Sequence, residues 1–326
     1  MKDARGREIK YLRVSVTDRC NLRCKYCMPN GIECVEHKDI LSFEEIRQIA
    51  VCGARLGITK IRLTGGEPLA RKGCPELIRM LKEIPGIEKI AMTTNGTLVR
   101  AILPELVEAG LDEINISLDT LDARTFAAIT GQDLLPEVLL AIDAALAAGL
   151  KVKVNAVSMP DTDWKRLITL AKDKPVDVRF IELMPIGEGR HSEGRSNEDL
   201  LEEIRSEFPQ LQADDSVHGA GPAVYYKIPG YQGSIGLISA MHGKFCSSCN
   251  RVRLTSTGFL KTCLCYEDGT DLRGILRGEC VRQEAVSKNQ KLLNAMARTI
   301  YGKPAEHCFE QPDQITEAHG MSAIGG

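Results

Sequence analysis

The chain has 326 residues, with 42 lysine and arginine residues against 44 aspartate and glutamate residues, so its formal net charge is −2. This charge provides no global field for nucleic acid or a membrane surface, and an anionic substrate must be held by local cations. Hydrophobic residues make up 43% of the chain, which is typical of a globular protein of one or two domains with a large core.

The N-terminal residues and the number of cysteines indicate the cellular compartment of the protein. Residues 1–16 lack the apolar core of a signal peptide, and no apolar run reaches the length of a membrane span. Twelve cysteines in such a chain favour metal or redox chemistry over disulfides. We therefore expect a cytoplasmic protein with no nucleic-acid partner and no membrane partner.

Strand-like and helix-like stretches alternate along the first half of the chain. The six strand-like runs are 11–17, 60–65, 89–95, 113–119, 151–158 and 176–183. Helix-like stretches between them include 42–57, 100–110 and 135–149. The last one ends on Gly149, a residue suited to a helix C-terminus. Repeated alternation predicts a parallel sheet with right-handed crossovers, either doubly wound or a barrel two units short of eight.

Five of these strands have one apolar and one polar face, because side chains alternate along a strand. The polar faces carry Arg13, Ser15 and Thr17; Arg62 and Thr64; Thr93 and Asn95; Asn115, Ser117 and Asp119; Lys151, Lys153 and Asn155. If the apolar faces meet outer helices, the polar faces line an open barrel around a large anionic ligand. A sheet with one solvated face is the alternative, and it is uncommon for parallel strands. The faces of the sixth strand are mixed.

The alternation stops after Met184. Residues 185–201 are rich in glycine and charge and predict a connector leading into a short helix. Strand candidates follow at 225–228, 234–239 and 251–256, then a helix over 281–300. Residues 318–326 read as a mobile tail. We predict two domains, 1–186 and 187–326.

Three cysteines follow the first strand in the spacing C-x3-C-x2-C, at Cys20, Cys24 and Cys27. A helix would place them on one face as a core stripe, but the interleaved polar residues and the breaker at 29–31 argue against a helix. Closed zinc sites usually have four ligands. Three thiolates can hold three irons of a four-iron cluster and leave the fourth iron open to a ligand.

A second group of cysteines lies near the run CNRVRL. Its members are Cys246, Cys249, Cys263 and Cys265. Four thiolates would suit a structural zinc site, which is a rival on spacing alone. Arg251 and Arg253 are two residues apart and would share one face of a strand beside these cysteines. A structural zinc site has no need of such a pair, so the pattern favours a second iron–sulfur cluster.

The first triplet, with Tyr26 before its last cysteine, resembles the signature of the radical S-adenosylmethionine superfamily. The run TGGEPL at 64–69 resembles the glycine-rich element of that superfamily. Gly65 and Gly66 would let the backbone approach the methionyl group of the cofactor. Alone, this run would read as an ordinary strand-to-helix turn. TGGEPL follows the second strand as the cysteine triplet follows the first, so the two motifs would lie at the ends of consecutive strands. This placement favours the cofactor role.

A longer series of motifs resembles the GTP 3′,8-cyclases of molybdenum cofactor biosynthesis over nearly the whole chain. In order, the motifs are LRVSVTDRCNLRCKYCMP, RLTGGEPL, TTNG, ISLDT, VKVN, IELMP, FCSSCNRVRLTSTG and the terminal Gly325-Gly326. The resemblance implies an α/β fold: an incomplete (β/α)6 TIM-like barrel, the radical core, with a C-terminal β-containing extension that carries a second Fe–S cluster. The implied cofactors are two [4Fe-4S] clusters and S-adenosyl-L-methionine.

The same resemblance implies residue roles. The first cluster would be held by Cys20, Cys24 and Cys27, and the second by Cys246, Cys249 and Cys263. The cofactor pocket would include Tyr26, Gly66, Ser117 and Met184. The GTP site would include Arg13, Arg62, Thr93, Lys153, Arg251, Val252 and Arg253. The catalytic centre would include Arg251, Arg253, Gly325 and Gly326, with the Gly-Gly tail entering the active site.

Two choices between neighbouring residues stay open. Cys265 competes with Cys263, although motif alignment favours Cys263. Lys151 competes with Lys153 on one strand face, and the VKVN match favours Lys153. The other cysteines match no motif and are expected to pack in the core, as is usual for free cysteine. They are Cys34, Cys52, Cys74, Cys280 and Cys308.

The implied enzyme is a lyase that converts GTP to (8S)-3′,8-cyclo-7,8-dihydroguanosine 5′-triphosphate, the first step of molybdenum cofactor biosynthesis. A 5′-deoxyadenosyl radical would remove hydrogen from C3′ of the ribose. Implied partners are GTP, a second copy in a homodimer, an electron donor such as flavodoxin or ferredoxin, and the downstream cyclic pyranopterin monophosphate synthase. The rivals are a radical peptide-modifying maturase and a non-catalytic iron–sulfur or zinc sensor.

Overall fold

Twelve strands form a single sheet in the computed structural model, which describes residues 1–31, 35–278 and 287–325. The strands are β1 (Tyr11–Ser15), β2 (Lys60–Thr64), β3 (Lys89–Thr94), β4 (Glu113–Ser117), β5 (Lys151–Ser158), β6 (Asp177–Glu182), β7 (Gln212–Ala213), β8 (Val224–Lys227), β9 (Ile235–Ile238), β10 (Arg251–Leu254), β11 (Phe259–Lys261) and β12 (Gly269–Asp271). The helices are α1 (Phe43–Arg55), α2 (Cys74–Lys82), α3 (Val99–Glu108), α4 (Ala123–Thr130), α5 (Leu135–Ala147), α6 (Trp164–Leu167), α7 (Thr169–Asp173), α8 (Asn197–Glu207), α9 (Leu272–Arg277) and α10 (Lys288–Tyr301).

The six predicted strands form the middle of the sheet, in the order β1-β2-β3-β4-β5-β6, and all neighbouring pairs are parallel. The three predicted helices α1, α3 and α5 lie between them. The predicted helix over 281–300 is observed as α10, while its first part, 281–286, lies outside the described residues.

Local sequence explains where these helices begin and end. Ser42 and Glu45 form a capping box at the start of α1: the Glu45 N–H donates to Ser42 Oγ and the Ser42 N–H donates to Glu45 Oε2. Pro136 is the second residue of α5, in the first turn, where a residue without an N–H leaves no hydrogen bond unmade. Gly149 follows α5 with φ of 78°, the left-handed conformation predicted for it.

The C-terminal region adds strands to both edges of the central sheet. Strand β10 pairs in parallel with β1 and continues into the antiparallel pair β11 and β12. Strand β9 pairs in parallel with β6, and β8 and β7 follow in antiparallel order. The predicted fold class, an incomplete barrel with a C-terminal β-containing extension, is confirmed. The extension shares its sheet with the barrel.

The core lies between the outer face of this sheet and the helices. Leu12, Val14, Ile61 and Leu63 are completely buried there. No single helix within the described residues is both long and apolar enough to cross a membrane; helices α4 and α5 pass that test only together, with a bend of 101° between them.

Candidate functional site

The inner face of the sheet lines one cavity of about 360 Å³. The predicted site residues in its wall are Arg13, Cys20, Cys24, Tyr26, Cys27, Arg62, Gly66, Thr93, Ser117, Lys153, Met184, Arg251 and Arg253. Val252 lies elsewhere: it is completely buried in the core, because neighbours on a strand point to opposite faces. Its backbone lies between those of Arg251 and Arg253 on β10, so the predicted place of Val252 in the GTP site stays a prediction.

Three arginines stand side by side in this wall. The register pairs Arg13 of β1 with Arg253 of β10 on one side and with Arg62 of β2 on the other. Like charges on directly opposite positions of neighbouring strands destabilise a sheet. Burial, with repulsion from Arg62 and Arg251, lowers the pKa of Arg13 to about 10. An anionic ligand that neutralised this row would relieve the repulsion.

The cavity is cationic as a whole. The cationic side chains in its wall within the described residues are Arg13, Lys60, Arg62, Lys153, Arg179, Arg251 and Arg253. The carboxylates in the wall are Glu113, Asp119 and Glu182. Glu113 already pairs with Lys60 at 2.6 Å and with Arg62 at 3.4 Å. Cations therefore outnumber the available carboxylates, which suits a ligand with several negative charges.

Lys153, and not Lys151, faces the cavity. Lys153 is 4% exposed and pairs with Asp177 of β6 at 3.2 Å, while its Nζ donates to Tyr225 Oη at 2.9 Å. Lys151 is exposed at the start of β5. Position therefore favours Lys153 over Lys151, because Lys153 lines the cavity and Lys151 does not.

We expect the affinity for a phosphorylated ligand to fall as pH rises through about 8. Burial and the nearby Arg179 lower the pKa of Lys153 to about 8, against the opposing effect of Asp177. A bound phosphate favours the protonated lysine, so binding above this pH takes up a proton. The Kd for GTP should then rise up to about tenfold per pH unit. Equilibrium dialysis between pH 6.5 and 9.5 measures it.

Tyr11 is the control for this pH dependence. Burial raises the pKa of Tyr11, but Arg62, Arg13 and Lys60 outweigh burial and lower it to about 8, so its ionisation would act in the same direction. The Tyr11→Phe variant should keep most of the slope, whereas Lys153→Met should bind GTP more weakly at pH 7 and keep only the smaller slope that Tyr11 contributes. An unchanged slope in Lys153→Met would assign the effect to another group.

The first cysteine group lies in the loop after β1, where residues 21–30 contain turns but no helix. The Arg23 N–H donates to Thr130 O at 2.8 Å, which anchors the loop to the end of α4. The Cys27 N–H donates to Cys24 O at 3.0 Å and closes a turn. The alternative of a helical core stripe is therefore wrong, and the three thiols line the cavity instead.

Burial raises the pKa of each thiol in this group, that of Cys27 to about 11. The thiols also raise one another's pKa: Cys20 acts on Cys24 and Cys27, and Cys27 acts on Cys24. All three lie in the wall of the same cavity. Iron bound there would have to displace their protons, as thiolate ligation requires.

The glycine-rich turn packs directly on the cysteine loop. The Gly66 N–H donates to Thr17 O at 2.9 Å, and the Glu67 N–H donates to Arg19 O at 2.7 Å. A Cβ atom on Gly66 would lie 2.4 Å from Arg19 O, so this contact requires glycine. Gly66 therefore serves the meeting of two backbone segments as well as lining the cavity.

Glu67 is a buried carboxylate that joins this turn to the end of β3. It accepts hydrogen bonds from the Asn95 N–H at 2.7 Å, from Thr94 Oγ1 at 2.8 Å and from the Leu69 N–H at 3.0 Å. Burial raises its pKa to about 7 although these donors lower it. Its three donors hold the turn in place beside the cysteine loop.

Tyr26 locks the cysteine loop over the ends of β4 and β5. Its hydroxyl donates to Asp119 Oδ2 at 2.6 Å, and Asp119 Oδ1 accepts from the Val157 N–H at 2.8 Å. Burial raises the pKa of Asp119 against the effect of these donors. Ser117 and Met184 lie in the same wall. Tyr26, Ser117 and Met184, with Gly66, are the four residues predicted for the cofactor, and they line the same cavity as the thiols of the first group.

The second cysteine group is assembled from two segments. Cys246 and Cys249 lie around a 3-10 turn before β10, and Cys263 follows β11. Burial raises the pKa of Cys246 and Cys263, and the three thiols act on one another electrostatically. Cys265 contacts Cys308 instead, with 3.3 Å between the sulfurs. The geometry therefore favours Cys263 as the third ligand, as the motif alignment does.

Lys303 stands between the segments that carry this group. Its side chain is 5% exposed, and its Nζ donates to Arg251 O at 3.0 Å and also to Thr262 O. Burial raises the pKa of the Cys249 thiol, but Lys303 and Arg251 outweigh burial and lower it to about 7. Lys303 thus places a positive charge where a thiolate-bound cluster would carry negative charge.

Arg7 ties the N-terminal segment to the same place. Its Nη1 donates to Cys246 O at 2.8 Å and its Nη2 donates to Pro304 O at 2.6 Å, while its Nε pairs with Asp3 at 2.6 Å. The planar guanidinium holds several oxygens in one arrangement. It therefore links the Cys246 turn to the loop that bears Lys303.

Each donor set consists of three thiols, Cys20, Cys24 and Cys27 in one and Cys246, Cys249 and Cys263 in the other. Three thiolates can hold three irons of a four-iron cluster and leave one iron for another molecule. The donor chemistry of both sets therefore fits four-iron clusters.

The C-terminal tail is packed into the barrel, which differs from the predicted mobile tail. The backbone of Ser322 lies beside the Cys27 thiol and lowers its pKa against the effect of burial, and Ile324 and Gly325 are buried. Arg253 Nη1 donates to Gly325 O at 2.7 Å. Gly325 has φ of 79°, a conformation that favours glycine. Gly326 lies outside the described residues, so its predicted role stays a prediction.

Several residues in the site were missed by the sequence analysis. Arg179 lies on β6, whose mixed faces hid it, although positions 177, 179 and 181 share one face. Lys60 and Tyr11 begin their strands and share the inward faces of Arg62 and Arg13. Strand alternation could therefore have identified both residues. Lys303 had no local signal, since its partners come from β10 and from residue 262. Cys34 and Cys280 lie outside the described residues.

Two family models match the chain. The model of the radical SAM superfamily matches residues 14–173, and the model of molybdenum cofactor synthesis C matches residues 176–309. A protein named GTP 3′,8-cyclase from Clostridium perfringens is 43% identical over 330 residues, covering all of both chains. Proteins of the same name from Alkaliphilus oremlandii and Moorella thermoacetica are each 42% identical, again over the full length of both chains.

Solved structures show the same fold at low sequence identity. The crystal structure of Streptococcus suis SuiB bound to S-adenosylmethionine superposes with a TM-score of 0.64 at 14% identity, covering 90% of this chain and 67% of that chain. SuiB bound to precursor peptide SuiA superposes with a TM-score of 0.56 at 15% identity, covering 91% and 66%. At such identity these likenesses establish the fold alone.

Proposed function

This chain belongs to the radical SAM superfamily and, within it, to the GTP 3′,8-cyclases, and from that premise we propose which of its residues carry out the cyclisation. It is a lyase of molybdenum cofactor biosynthesis that converts GTP to 3′,8-cyclo-7,8-dihydro-GTP with S-adenosyl-L-methionine and iron–sulfur clusters. One observation carries the residue assignment: three thiols and a row of arginines line one cavity.

The triphosphate of GTP binds to the cationic wall. Arg13, Arg62 and Arg253 stand in one row across three strands, and Lys153 extends the cationic surface along β5. Hydrogen bonds between guanidinium and phosphate are charge-assisted and often bidentate, which holds a phosphate in one orientation. Thr93 Oγ1 lies 3.4 Å from Arg62 Nη1 in the same wall. Arg179 joins this set, although no motif marks it.

Cys20, Cys24 and Cys27 would hold the first cluster, at which S-adenosyl-L-methionine would bind. When bound, this pair of groups supplies the radical that removes hydrogen from C3′ of GTP. Gly66, Ser117, Met184 and the backbone at Tyr26 line its pocket. The Tyr26–Asp119 hydrogen bond holds the cysteine loop over the barrel and keeps water away from the reacting atoms.

Cys246, Cys249 and Cys263 would hold a second cluster, which would supply an iron site for the guanine. Arg251 and Arg253 both face inward on β10 beside these cysteines, so the substrate would lie between the two thiol groups. Gly325 and Gly326 reach the same centre from the tail, supported by the hydrogen bond from Arg253 to Gly325 O. Residues 1–186 thus form the radical core, and residues 187–326 supply the second cluster and the tail.

The remaining parts of the proposal rest on the family resemblance. The chain forms a homodimer and takes single electrons from flavodoxin or ferredoxin, since the clusters need a low-potential donor. Its product passes to cyclic pyranopterin monophosphate synthase. A cytoplasmic location accords with thiols kept reduced for cluster binding.

Anaerobic turnover tests the function. The reconstituted protein, incubated with GTP, S-adenosylmethionine and dithionite, should yield a product that oxidation converts to a fluorescent pterin, together with 5′-deoxyadenosine. Omitting S-adenosylmethionine, or replacing GTP with ATP, should remove the pterin. Cleavage of S-adenosylmethionine without pterin from GTP would contradict the cyclase activity and reopen the peptide-modifying alternative.

A further inference from the structure

Two cysteines that belong to neither thiol group touch each other. The sulfurs of Cys265 and Cys308 lie 3.3 Å apart, and the Cys308 N–H donates to Cys265 Sγ at 3.3 Å. The Cys308 thiol also donates to Gln314 O at 3.3 Å. Neither cysteine matches a motif of the family, yet residues 43 positions apart meet in the fold. Two unassigned thiols in contact form a pair rather than two isolated core residues.

The two cysteines differ in their exposure to solvent. Cys265 is completely buried in a small apolar cluster with Leu264, Phe309 and Ile324. Cys308 is partly exposed. A small oxidant can therefore reach Cys308 directly, and the Cys308 sulfur is in contact with that of the buried Cys265. This is the arrangement of an attacking thiol with a resolving thiol behind it.

The pair joins two functional parts of the chain. Cys265 lies two residues after Cys263, the third ligand of the second thiol group. Cys308 lies at the start of the segment 308–325, which ends in the C-terminal tail. The Glu317 N–H donates to Cys265 O at 3.3 Å, and Glu317 pairs with the buried Lys261 of β11. The segment 308–325 is thus already held by noncovalent contacts at the place where a covalent bond would form.

We propose that Cys265 and Cys308 are a reversible dithiol–disulfide site that fastens the C-terminal tail to the segment carrying Cys263. A low-molecular-weight disulfide such as oxidised glutathione accepts the electrons. Cys308 attacks its sulfur and releases one thiol; Cys265 then displaces the second thiol. Two protein thiols and one small disulfide become one protein disulfide and two small thiols. The bond closes the loop 266–307 and leaves both cluster ligand sets untouched.

Peptide mapping of the intact holoenzyme tests the proposal. Anaerobic protein is equilibrated in glutathione buffers of increasing oxidised fraction, blocked with N-ethylmaleimide, digested and examined by mass spectrometry. We expect a 265–308 linked peptide that increases with the oxidised fraction and disappears with dithiothreitol. The iron content should stay constant across the same series, and the apparent Tm should rise in the oxidised form because the closed loop restricts the unfolded chain.

Matched variants separate the possible outcomes. Cys308→Ser should lose the linked peptide and keep its iron, whereas Cys52→Ser, which removes a buried cysteine bonded to Asn289 O, should keep both. Cys265→Ala should behave like Cys308→Ser. Two outcomes overturn the proposal: both thiols remain open to labelling until iron is lost, or Cys308→Ser itself loses iron. The second would assign the pair to the cluster.

Discussion

Replacing Cys249 with serine is expected to lower the iron content from about eight to about four atoms per chain and to abolish cyclisation. A serine hydroxyl is a poor iron ligand, and Cys249 is the member of the second group whose pKa Lys303 and Arg251 lower to about 7, against the effect of burial. The first group lies in a different loop, after β1, and should keep its cluster. Cleavage of S-adenosylmethionine without GTP turnover should therefore persist.

The control for this experiment is Cys52→Ser, which removes a buried cysteine that faces Asn289 on α10. It should keep about eight irons and full activity. The iron content, the sulfide content and the electron paramagnetic resonance spectrum are measured on oxygen-free protein, alongside pterin formation. Full cyclisation by a Cys249→Ser variant with about four irons would remove the second group from the reaction.

Arg62→Ala should weaken GTP binding by about 1.5–3 kcal/mol, or roughly 10- to 100-fold in Kd, because a charge-assisted contact to phosphate is lost. Arg62 is 4% exposed, its Nη1 donates to Met92 O at 2.8 Å, and it also contacts Tyr11. Glu113 keeps its ion pair with Lys60 at 2.6 Å in the variant, so no carboxylate is left buried alone. The fold should therefore survive.

Anaerobic equilibrium dialysis with GTP measures the loss, and iron content tests the clusters. Arg100→Ala is the matched control, because Arg100 pairs with Glu137 on the exposed outer surface and should bind GTP normally. Arg62 contacts no cysteine of either group, so iron should remain at the parental level. Loss of iron from Arg62→Ala would show that Arg62 supports the structure rather than the substrate.

Much of the site could be predicted because its signals are local. The spacing of Cys20, Cys24 and Cys27 depends on eight consecutive residues, and strand alternation predicted the inward faces of Arg13 and Arg62 before any contact was known. Both local patterns persist in the fold, since a strand buried on one face must alternate. The same rule, applied to β10, turns the Val252 side chain into the core between the inward Arg251 and Arg253.

Other features depended on residues far apart in the chain. The choice of Cys263 over Cys265 follows from the contact of Cys265 with Cys308, and the role of Lys303 follows from carbonyls of Arg251 and Thr262. The tail read as mobile because its composition is small and glycine-rich, yet it is held by Arg253 and by the first cysteine loop. Composition does not record such partners.

By itself, the sequence determined the ligand types, the strand–helix order and the inward polarity of the barrel, since each depends on covalent spacing or on a repeat of two residues. Only the tertiary structure decided which charges meet. The alignment of Arg13 between Arg253 and Arg62, and the pairing of Cys265 with Cys308, are set by strand register and loop packing across the sheet. Register is a property of two segments together, and neither segment specifies it alone.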